Sequence, residues 1–437
     1  MKTLSSLHPG RGWLPWGVSL LALAVGACGS ETAVDDDEPE IETTSGAAGG
    51  SGGMDMAAGG RGGSGGNGGS ADDPLEPVAS EVELIDLGQV AQPAGFATFT
   101  FTIEEGTTSF ALSFEVEPDA PVEFLFLQRV TGPSGVLAEV DLESGVVIGD
   151  FQTSPTNVPN AAYSLLFPNT PTLEVEPGTY EVTLSGFTEF GPAAAVRGTL
   201  MVKRAAAPPP FGSYALDVWF ADNDLGLSAA TAPEDADFQA ALTELRAIHR
   251  NAGLTIEDVA YRDIVGAPEL GILDNQEELT RLLEIPNVER NGRVSLIMVE
   301  SIDLNEQGVI LGLASGAPGP ASVATAPHAS VVVSSFGFQL APERVGKTMA
   351  HEIGHQLGLD HTTESDGVRH DPIPDTPECT ETVMGFAVPE LCPTGGSNFM
   401  FWTGFQDNRP QQDVSLGQRL VINGNPSVAN RGERSEP

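Results

Sequence analysis

Three of the chain's seven histidines fall within one short stretch, Thr348–Glu364, which reads TMAHEIGHQLGLDHTTE. If this stretch begins as a helix, His351 and His355 lie four residues apart on one face. Two imidazoles at this spacing can bind the same zinc ion at about 2.0–2.1 Å. Glu352 stands beside the first histidine, where its carboxylate can act as a general base on water without binding the metal.

A glycine after the second histidine predicts a sharp bend. Gly358 stands three residues past His355 and can adopt the positive φ that ends a helix. Such a bend would return His361 to the metal as a third ligand. Three protein ligands leave one position open for water, as in catalytic zinc sites rather than structural ones. The spacing therefore predicts zinc-dependent hydrolysis, and an ordinary helix with exposed histidines explains it poorly.

The surrounding sequence predicts how this stretch is positioned. Between residues 211 and 430, short apolar runs alternate with helical patterns, which predicts an α/β (α+β) domain with one sheet packed against helices. The run Ala329–Ser335, ASVVVSS, is a predicted strand just before the motif. The helix that follows has an apolar face at four-residue intervals, formed by Val345, Met349, Ile353 and Leu357.

Residues 81–204 show the periodicity of strands instead. Within Phe110–Val116 every second residue is a large apolar one. Further apolar runs bounded by glycine, proline and asparagine predict an antiparallel, all-β sandwich that is jelly-roll-like. The segment AAAPPP at residues 205–210 predicts a stiff, Pro-rich linker between the two domains.

The N-terminus has the features of an export signal, predicted to span residues 1–28. Lys2 and Arg11 precede an apolar run, Val18–Ala27, which is too short to span a membrane. The tetrapeptide VGAC resembles the lipobox of bacterial lipoproteins, which implies cleavage before Cys28 and a lipid on its sulfur. An ordinary signal peptide beside a cysteine is the alternative. We expect an exported protein, lipid-anchored to the bacterial cell envelope at the outer membrane or cell surface, or released from it.

Composition predicts two unfolded segments and argues against one class of binding partner. Residues 29–80 are acidic and then glycine-rich, so they cannot bury enough apolar surface to fold and are expected to form a disordered tether. Residues 431–437 are expected to form a disordered tail. With 61 acidic and 20 basic residues, the net charge of −41 would repel a phosphate backbone, which argues against nucleic acid as a partner. The oligomeric state is left open.

Two cysteines remain once Cys28 is assigned to the lipid. In an oxidising, exported setting, Cys379 and Cys392 favour a disulfide with each other over a soft metal site built from two cysteines alone. The bond would staple a loop.

The residues of the predicted zinc site carry a family resemblance. His351, Glu352, His355, Gly358 and His361 match the HExxHxxGxxH signature position by position, so the chain resembles the metzincin metallopeptidases. The resemblance implies a domain with a twisted sheet and an active-site helix, which hydrolyses peptide bonds in a protein or peptide substrate. It also implies a strand edge that pairs with the extended substrate, and ASVVVSS is the predicted edge.

Within the metzincins, the segments HTTESDGVRHDPIPDTPEC and CPTGGSNFMFW resemble the pappalysin-like branch. This resemblance spans Tyr214–Val428 and is strongest over Arg344–Leu420. It implies that Met400 forms the Met-turn, an apolar floor beneath the metal. Trp402 departs from the pattern, because many relatives have a tyrosine there that can assist the oxyanion, and an indole cannot donate a phenolic proton.

The roles of three acidic residues near the motif are left open by the sequence. Asp371 and Asp375 resemble calcium ligands of some pappalysin-like enzymes, which would make Ca²⁺ a second cofactor, or they cap turns in a proline-rich loop. Asp360 could orient the imidazole of the adjacent third histidine.

Three functions are compatible with the sequence. The leading hypothesis is an exported zinc endopeptidase in which Glu352 activates water. The main alternative is a non-catalytic surface lipoprotein with a binding β-sandwich and a degenerate zinc domain, although the intact Glu352 argues against it. A zinc hydrolase acting on a non-peptide bond is the third.

Overall fold

The structure of the chain is a computed structural model. It describes residues 80–92, 95–116, 122–141, 147–149, 151, 162–188, 191–192, 195–207, 210–288, 292–304, 310–320, 329–404 and 410–432. The predicted signal segment with Cys28, the tether up to residue 79 and the tail from residue 433 lie outside these ranges. Within them, none of the helices is long and apolar enough to cross a membrane.

Ten strands form the N-terminal part of the described chain. They are β1 (Glu81–Ala91), β2 (Ala97–Ile103), β3 (Thr107–Val116), β4 (Val122–Gly132), β5 (Gly135–Val140), β6 (Val147–Gly149), β7 (Ala162–Phe167), β8 (Gly178–Thr188), β9 (Gly191–Pro192) and β10 (Ala195–Arg204). They pair in two antiparallel sheets, in the orders β1-β10-β3-β7 and β2-β8-β4-β5-β6, with β9 beside β8. The predicted β-rich N-terminal region is confirmed, and its jelly-roll type stays a prediction.

Period-two alternation builds the core between these two sheets. In β2, Phe99, Phe101 and Ile103 are buried, while the threonines between them are exposed. Phe99 packs against Phe114 of the other sheet, with ring centroids 5.0 Å apart. Aromatic pairs at this distance stabilise a fold by more than the burial of their surface alone. The phenylalanine-rich strands therefore favour the packing of the two sheets against each other.

The first sheet, β1-β10-β3-β7, is covered on both faces. All six residues of β7 are buried. Tyr163, Leu165 and Phe167 belong to the core of the sandwich, whereas Leu166 belongs to the core of the C-terminal domain. Because side chains alternate across a strand, the sheet contributes one face to each domain.

The C-terminal domain contains ten strands and four α-helices among the described residues. The strands are β11 (Gly212–Phe220), β12 (Leu254–Asp263), β13 (Ile272–Leu273), β14 (Val294–Val299), β15 (Ser301–Ile302), β16 (Gly312–Ala314), β17 (Ser330–Ser334), β18 (Thr382–Val383), β19 (Phe386–Ala387) and β20 (Ala429–Asn430). The helices are α1 (Ala236–Asn251), α2 (Gln276–Glu284), α3 (Pro342–Gln356) and α4 (Leu416–Gly424).

The main sheet of this domain has the strand order β12-β11-β14-β17-β16. The first four strands are parallel, and β16 is antiparallel to β17. The prediction that ASVVVSS forms the exposed edge is therefore wrong, because β17 is internal and β16 lies at the edge of the described sheet. All five residues of β17 are buried, as expected of a parallel strand covered on both faces.

Helices cover both faces of the sheet. On one face, Leu245 of α1 and Met349 of α3 share a core with Val333 of β17. On the other face, Leu282 of α2 shares a core with Val332 of the same strand. The predicted packing of a sheet against helices is confirmed, and the domain also contains two small two-stranded sheets, β13-β15 and β18-β19.

The end of the described chain packs onto the first strand of this domain. β20 pairs with β11, and the backbone N–H of Arg431 donates to the carbonyl of Phe211 at 3.0 Å. The Arg431 side chain donates through Nε to Ser213 Oγ at 2.7 Å. Contacts therefore continue past residue 430, where the sequence placed the end of the domain.

A buried lysine joins the two domains. Lys203 of β10 is fully buried, and its Nζ donates to the carbonyls of Asn423 and Val428 at 2.7 Å and of Asn425 at 3.3 Å. Burial lowers the pKa of this amine to about 7. The three carbonyls belong to the end of α4 and the turn after it, where the helix dipole favours a cation.

At a pH below the lysine's pKa of about 7, where its amine is charged, we expect Lys203→Met to lower the free energy of unfolding by about 2 kcal/mol, because three buried carbonyls lose a charged donor. Urea-induced unfolding measures this change. Arg197→Met on the same strand is the control, since Arg197 is exposed and pairs with Asp86 at 3.7 Å. We expect the control to cost under about 0.5 kcal/mol. Equal stability of the Lys203 variant and the unsubstituted chain would contradict this role of the lysine.

Candidate metal centre

Helix α3 directs the first two histidines toward one point. Met349 and Ile353 bury one face of the helix in the core of the domain. His351 and His355 lie on another face, buried, with ring centroids 4.7 Å apart. The four-residue spacing thus places two imidazoles one helical turn apart.

Gly358 turns the chain after α3. Its φ is 111°, a value that residues with a side chain rarely adopt. The N–H of Leu359 donates back to the carbonyl of Gly354 at 3.0 Å, which fixes the turn. The bend returns His361 to the helix, and its ring centroid lies 4.6 Å from that of His355.

The Nε2 atoms of the three histidines converge. Nε2 of His361 lies 3.1 Å from Nε2 of His351 and 3.1 Å from Nε2 of His355. Three nitrogens bound to one tetrahedral zinc at about 2.0–2.1 Å would lie about 3.3 Å apart, so this spacing fits one ion. The three residues that the sequence singled out therefore form a site able to bind a metal ion.

Backbone carbonyls orient the two helical rings. Nδ1 of His351 lies 2.7 Å from the carbonyl oxygen of Phe399, and Nδ1 of His355 lies 2.6 Å from that of Leu359. A carbonyl can only accept, so each Nδ1 carries the hydrogen and each Nε2 keeps its lone pair for a metal.

A carboxylate orients the third ring. Nδ1 of His361 lies 3.1 Å from Oε2 of Glu364. Burial opposes ionisation of Glu364, but His361 and Arg369 hold its pKa below its usual value. The acceptor is thus Glu364 in place of Asp360, which the sequence suggested. Burial, together with the carboxylates of Asp371 and Glu364, raises the pKa of Asp360 to about 8.

Burial keeps the two helical imidazoles neutral. Desolvation, reinforced by the neighbouring His361, lowers the pKa of His355 to about 3. Desolvation and both neighbouring imidazoles lower the pKa of His351 well below its usual value. The neutral ring is the form that binds a metal, so at neutral pH no proton competes for these two nitrogens.

Glu352 and Met400 lie on different sides of the helix that holds the two rings. Glu352 is fully buried, and a β-carbon built on Gly312 would lie 2.5 Å from its Oε1, so β16 passes directly beside this carboxylate. Met400 is fully buried as well, and its Sδ lies 2.5 Å from the position of a β-carbon on Gly354. Met400 therefore packs against the last turn of α3, at a residue that lies between the two histidines in the sequence.

The predicted disulfide is present in the loop that precedes Met400. Cys379 and Cys392 are bonded, which confirms their pairing. Between them, β18 and β19 form a hairpin that Trp402 anchors. Nε1 of Trp402 donates to the carbonyl of Ala387 at 2.6 Å, and its ring stacks on Phe386. The indole N–H is therefore engaged by the hairpin.

The two aspartates with open interpretations both cap local structure. Asp375 accepts hydrogen bonds from Ser415 Oγ at 2.8 Å and from the N–H of Gly417 at 2.9 Å, so it caps the start of α4. Asp371 accepts from Thr376 Oγ1 at 2.5 Å. Burial raises the pKa of Asp371 to about 7. These contacts favour the turn-capping interpretation, and calcium binding stays a prediction.

We expect Glu364→Ala to weaken zinc binding about tenfold, because the His361 ring loses the acceptor that sets its orientation. Glu364→Gln keeps an acceptor oxygen, so its zinc affinity should fall by a smaller factor. Competition against a chromophoric chelator measures the affinity. Glu381→Ala, at an exposed carboxylate of the same loop, is the control. Unchanged affinity in the Glu364→Ala variant would show that this carboxylate does not support the ligand.

Solved structures resemble the chain only over part of its length. Metalloproteinase-II from Bacteroides fragilis is 13% identical with a TM-score of 0.25, covering 40% of this chain and 58% of that one. The infectious bursal disease virus VP2 subviral particle is 15% identical with a TM-score of 0.18, covering 29% and 33%. A serine protease of Aeromonas sobria is 13% identical with a TM-score of 0.16, covering 31% and 28%. The chain spans less than two thirds of the length of each of these proteins. Similarities this weak say nothing about function.

A family model matches the region that builds the metal site. Comparison with curated proteins gives no match. Residues 236–362, however, match the model described as Metallo-peptidase family M12B Reprolysin-like. The match runs from the first residue of α1 through the third histidine and so includes all three imidazoles. Residues 236–362 are thus similar to a reprolysin-like metallopeptidase domain.

Proposed function

We propose that the chain is a zinc-dependent endopeptidase of the metzincin type, in the pappalysin-like branch. The observation that carries this proposal is the convergence of three Nε2 atoms, together with the buried carboxylate of Glu352, the residue that follows His351 in α3. The reprolysin-like match over the same residues supports the peptidase class. The HExxHxxGxxH spacing and Met400 support the metzincin assignment.

The chain's own residues supply the acid–base chemistry of this proposal. A zinc ion held by His351, His355 and His361 would, when bound, polarise a water molecule and the scissile carbonyl. The carboxylate of Glu352 takes a proton from the attacking water and later donates it to the nitrogen of the leaving amine. Burial of Glu352 removes competing water and strengthens its electrostatic interactions with the reacting atoms.

The edge strand β16 supports a polypeptide as the substrate. Among the described residues it lies at the edge of the sheet, the position at which an extended chain would add by backbone pairing. Gly312 of β16 lies against Glu352. A polypeptide paired with this strand would therefore pass beside the catalytic carboxylate.

We also propose that the enzyme acts outside the cell, on a tether. The lipobox-like VGAC before residue 29 supports a lipid on Cys28 and attachment to the bacterial cell envelope. The acidic and glycine-rich residues 29–80 would then separate the peptidase from the membrane. The net charge of −41 supports protein rather than nucleic-acid substrates.

We expect Glu352→Gln to retain zinc while its cleavage of an unfolded protein falls by about 10²–10⁴-fold, because the general base is lost. Zinc content and the appearance of peptides are measured on the same preparation. His351→Ala is the matched control and should lose both zinc and cleavage.

Undiminished turnover by Glu352→Gln would refute the mechanism. An unsubstituted chain that holds zinc but cleaves only small esters or amides would favour a non-peptide hydrolase. One that holds zinc and cleaves neither would favour the non-catalytic lipoprotein.

A further inference from the structure

The β-sandwich contacts the bend of the metal centre. Leu166 of β7 is fully buried, and its Cδ2 lies 2.5 Å from the position of a β-carbon on Gly358. Leu166 therefore packs against the residue that turns the chain from His355 toward His361. The preceding residue, Leu165, faces the opposite way, into the core of the sandwich.

Hydrogen bonds hold the sandwich to the peptidase domain on both sides of Leu166. Ser164 Oγ donates to the carbonyl of Pro318 at 2.6 Å, and Thr170 Oγ1 donates to that of Pro372 at 2.9 Å. Pro318 follows the edge strand β16, and Pro372 lies in the loop after the third histidine. The sandwich therefore contacts one segment that precedes the three histidines along the chain and one that follows them.

A second connection reaches the end of α3. Lys203 Nζ donates to the carbonyl of Asn425 at 3.3 Å, and Asn425 Nδ2 donates to the carbonyl of Leu357 at 3.0 Å. Leu357 is the C-terminal cap of α3 and immediately precedes Gly358. Carbonyls at a helix C-terminus lack partners within the helix, so this donor fixes the point where the bend begins.

The bend determines the surroundings of two imidazoles. The carbonyl of Leu359 faces Nδ1 of His355 at 2.6 Å, and His361 follows two residues later. A shift at Gly358 would therefore move an acceptor of one ring and the backbone that carries another. Metal affinity depends strongly on such supporting contacts, whose loss typically costs 10–100-fold.

We propose that the β-sandwich is a structural part of the metal centre, with Leu166 as a positioning residue. By packing against Gly358, Leu166 sets the bend and thereby the relative placement of His355 and His361. This role rests on the proposed zinc site. It also gives the sandwich a function in metal binding, in addition to any contact it makes with a substrate or the envelope.

The test compares two neighbouring leucines in the full chain. Leu166 and Leu165 are 0% and 2% exposed, so truncating either to alanine leaves a buried cavity. We expect Leu166→Ala to bind zinc about tenfold more weakly in competition with a chromophoric chelator. We also expect a shifted visible absorption band when cobalt(II) replaces zinc. Leu165→Ala should unfold at a lower temperature than the unsubstituted chain but bind zinc within about twofold of it.

A milder variant keeps the test informative if Leu166→Ala fails to fold. Leu166→Val shortens the side chain that reaches Gly358 and introduces a β-branched residue, which suits a strand, and it should weaken zinc binding by a smaller factor. Equal zinc affinity and an equal cobalt spectrum in the Leu165 and Leu166 variants would overturn the positioning role.

Peptide cleavage by the unsubstituted chain separates this proposal from the proposed function. If the unsubstituted chain binds zinc without cleaving polypeptides, only the proposed peptidase function is contradicted. If it cleaves polypeptides while the Leu166 variants bind zinc normally, only the positioning role of Leu166 is contradicted. Failure of the unsubstituted chain to bind zinc would overturn both.

Discussion

Three imidazoles can share one cation only if each ring is neutral and held in a fixed orientation, and the C-terminal domain is built around this constraint. Helix α3 supplies two rings one turn apart, and Gly358 returns the third. The acceptors for the Nδ1 atoms come from Leu359, Phe399 and Glu364, which lie in different parts of the chain. The metal site therefore depends on the bend, on the segment around Met400 and on the loop after the third histidine together.

The two domains depend on each other through one β-sheet. Its inner face fills the sandwich core, while Leu166 and Lys203 on the outer face are buried against the peptidase domain. A stiff linker alone would leave each domain independently supported. Here the same sheet contacts Gly358 and the end of α4, so a change within the sandwich can reach the metal site without touching a ligand.

The sequence predicted those features that follow from short-range spacing. The four-residue separation of His351 and His355, the glycine bend and the pairing of the last two cysteines each follow from local geometry or chemistry. The acceptor of His361 could not be chosen in advance, because Asp360 and Glu364 both carry carboxylates and the direction of the bend decides between them. The edge strand was also missed, since β16 has three residues and gives no periodicity. Nor could an apolar pair such as Leu165 and Leu166 reveal which residue faces the other domain.

The most direct measurement is anomalous diffraction at the zinc absorption edge from crystals of the zinc-loaded chain. We expect one anomalous peak at about 2.0–2.1 Å from the Nε2 atoms of His351, His355 and His361, with a remaining position open to solvent. A peak at other residues, or three rings that turn away from one another in the loaded crystal, would contradict a shared metal centre.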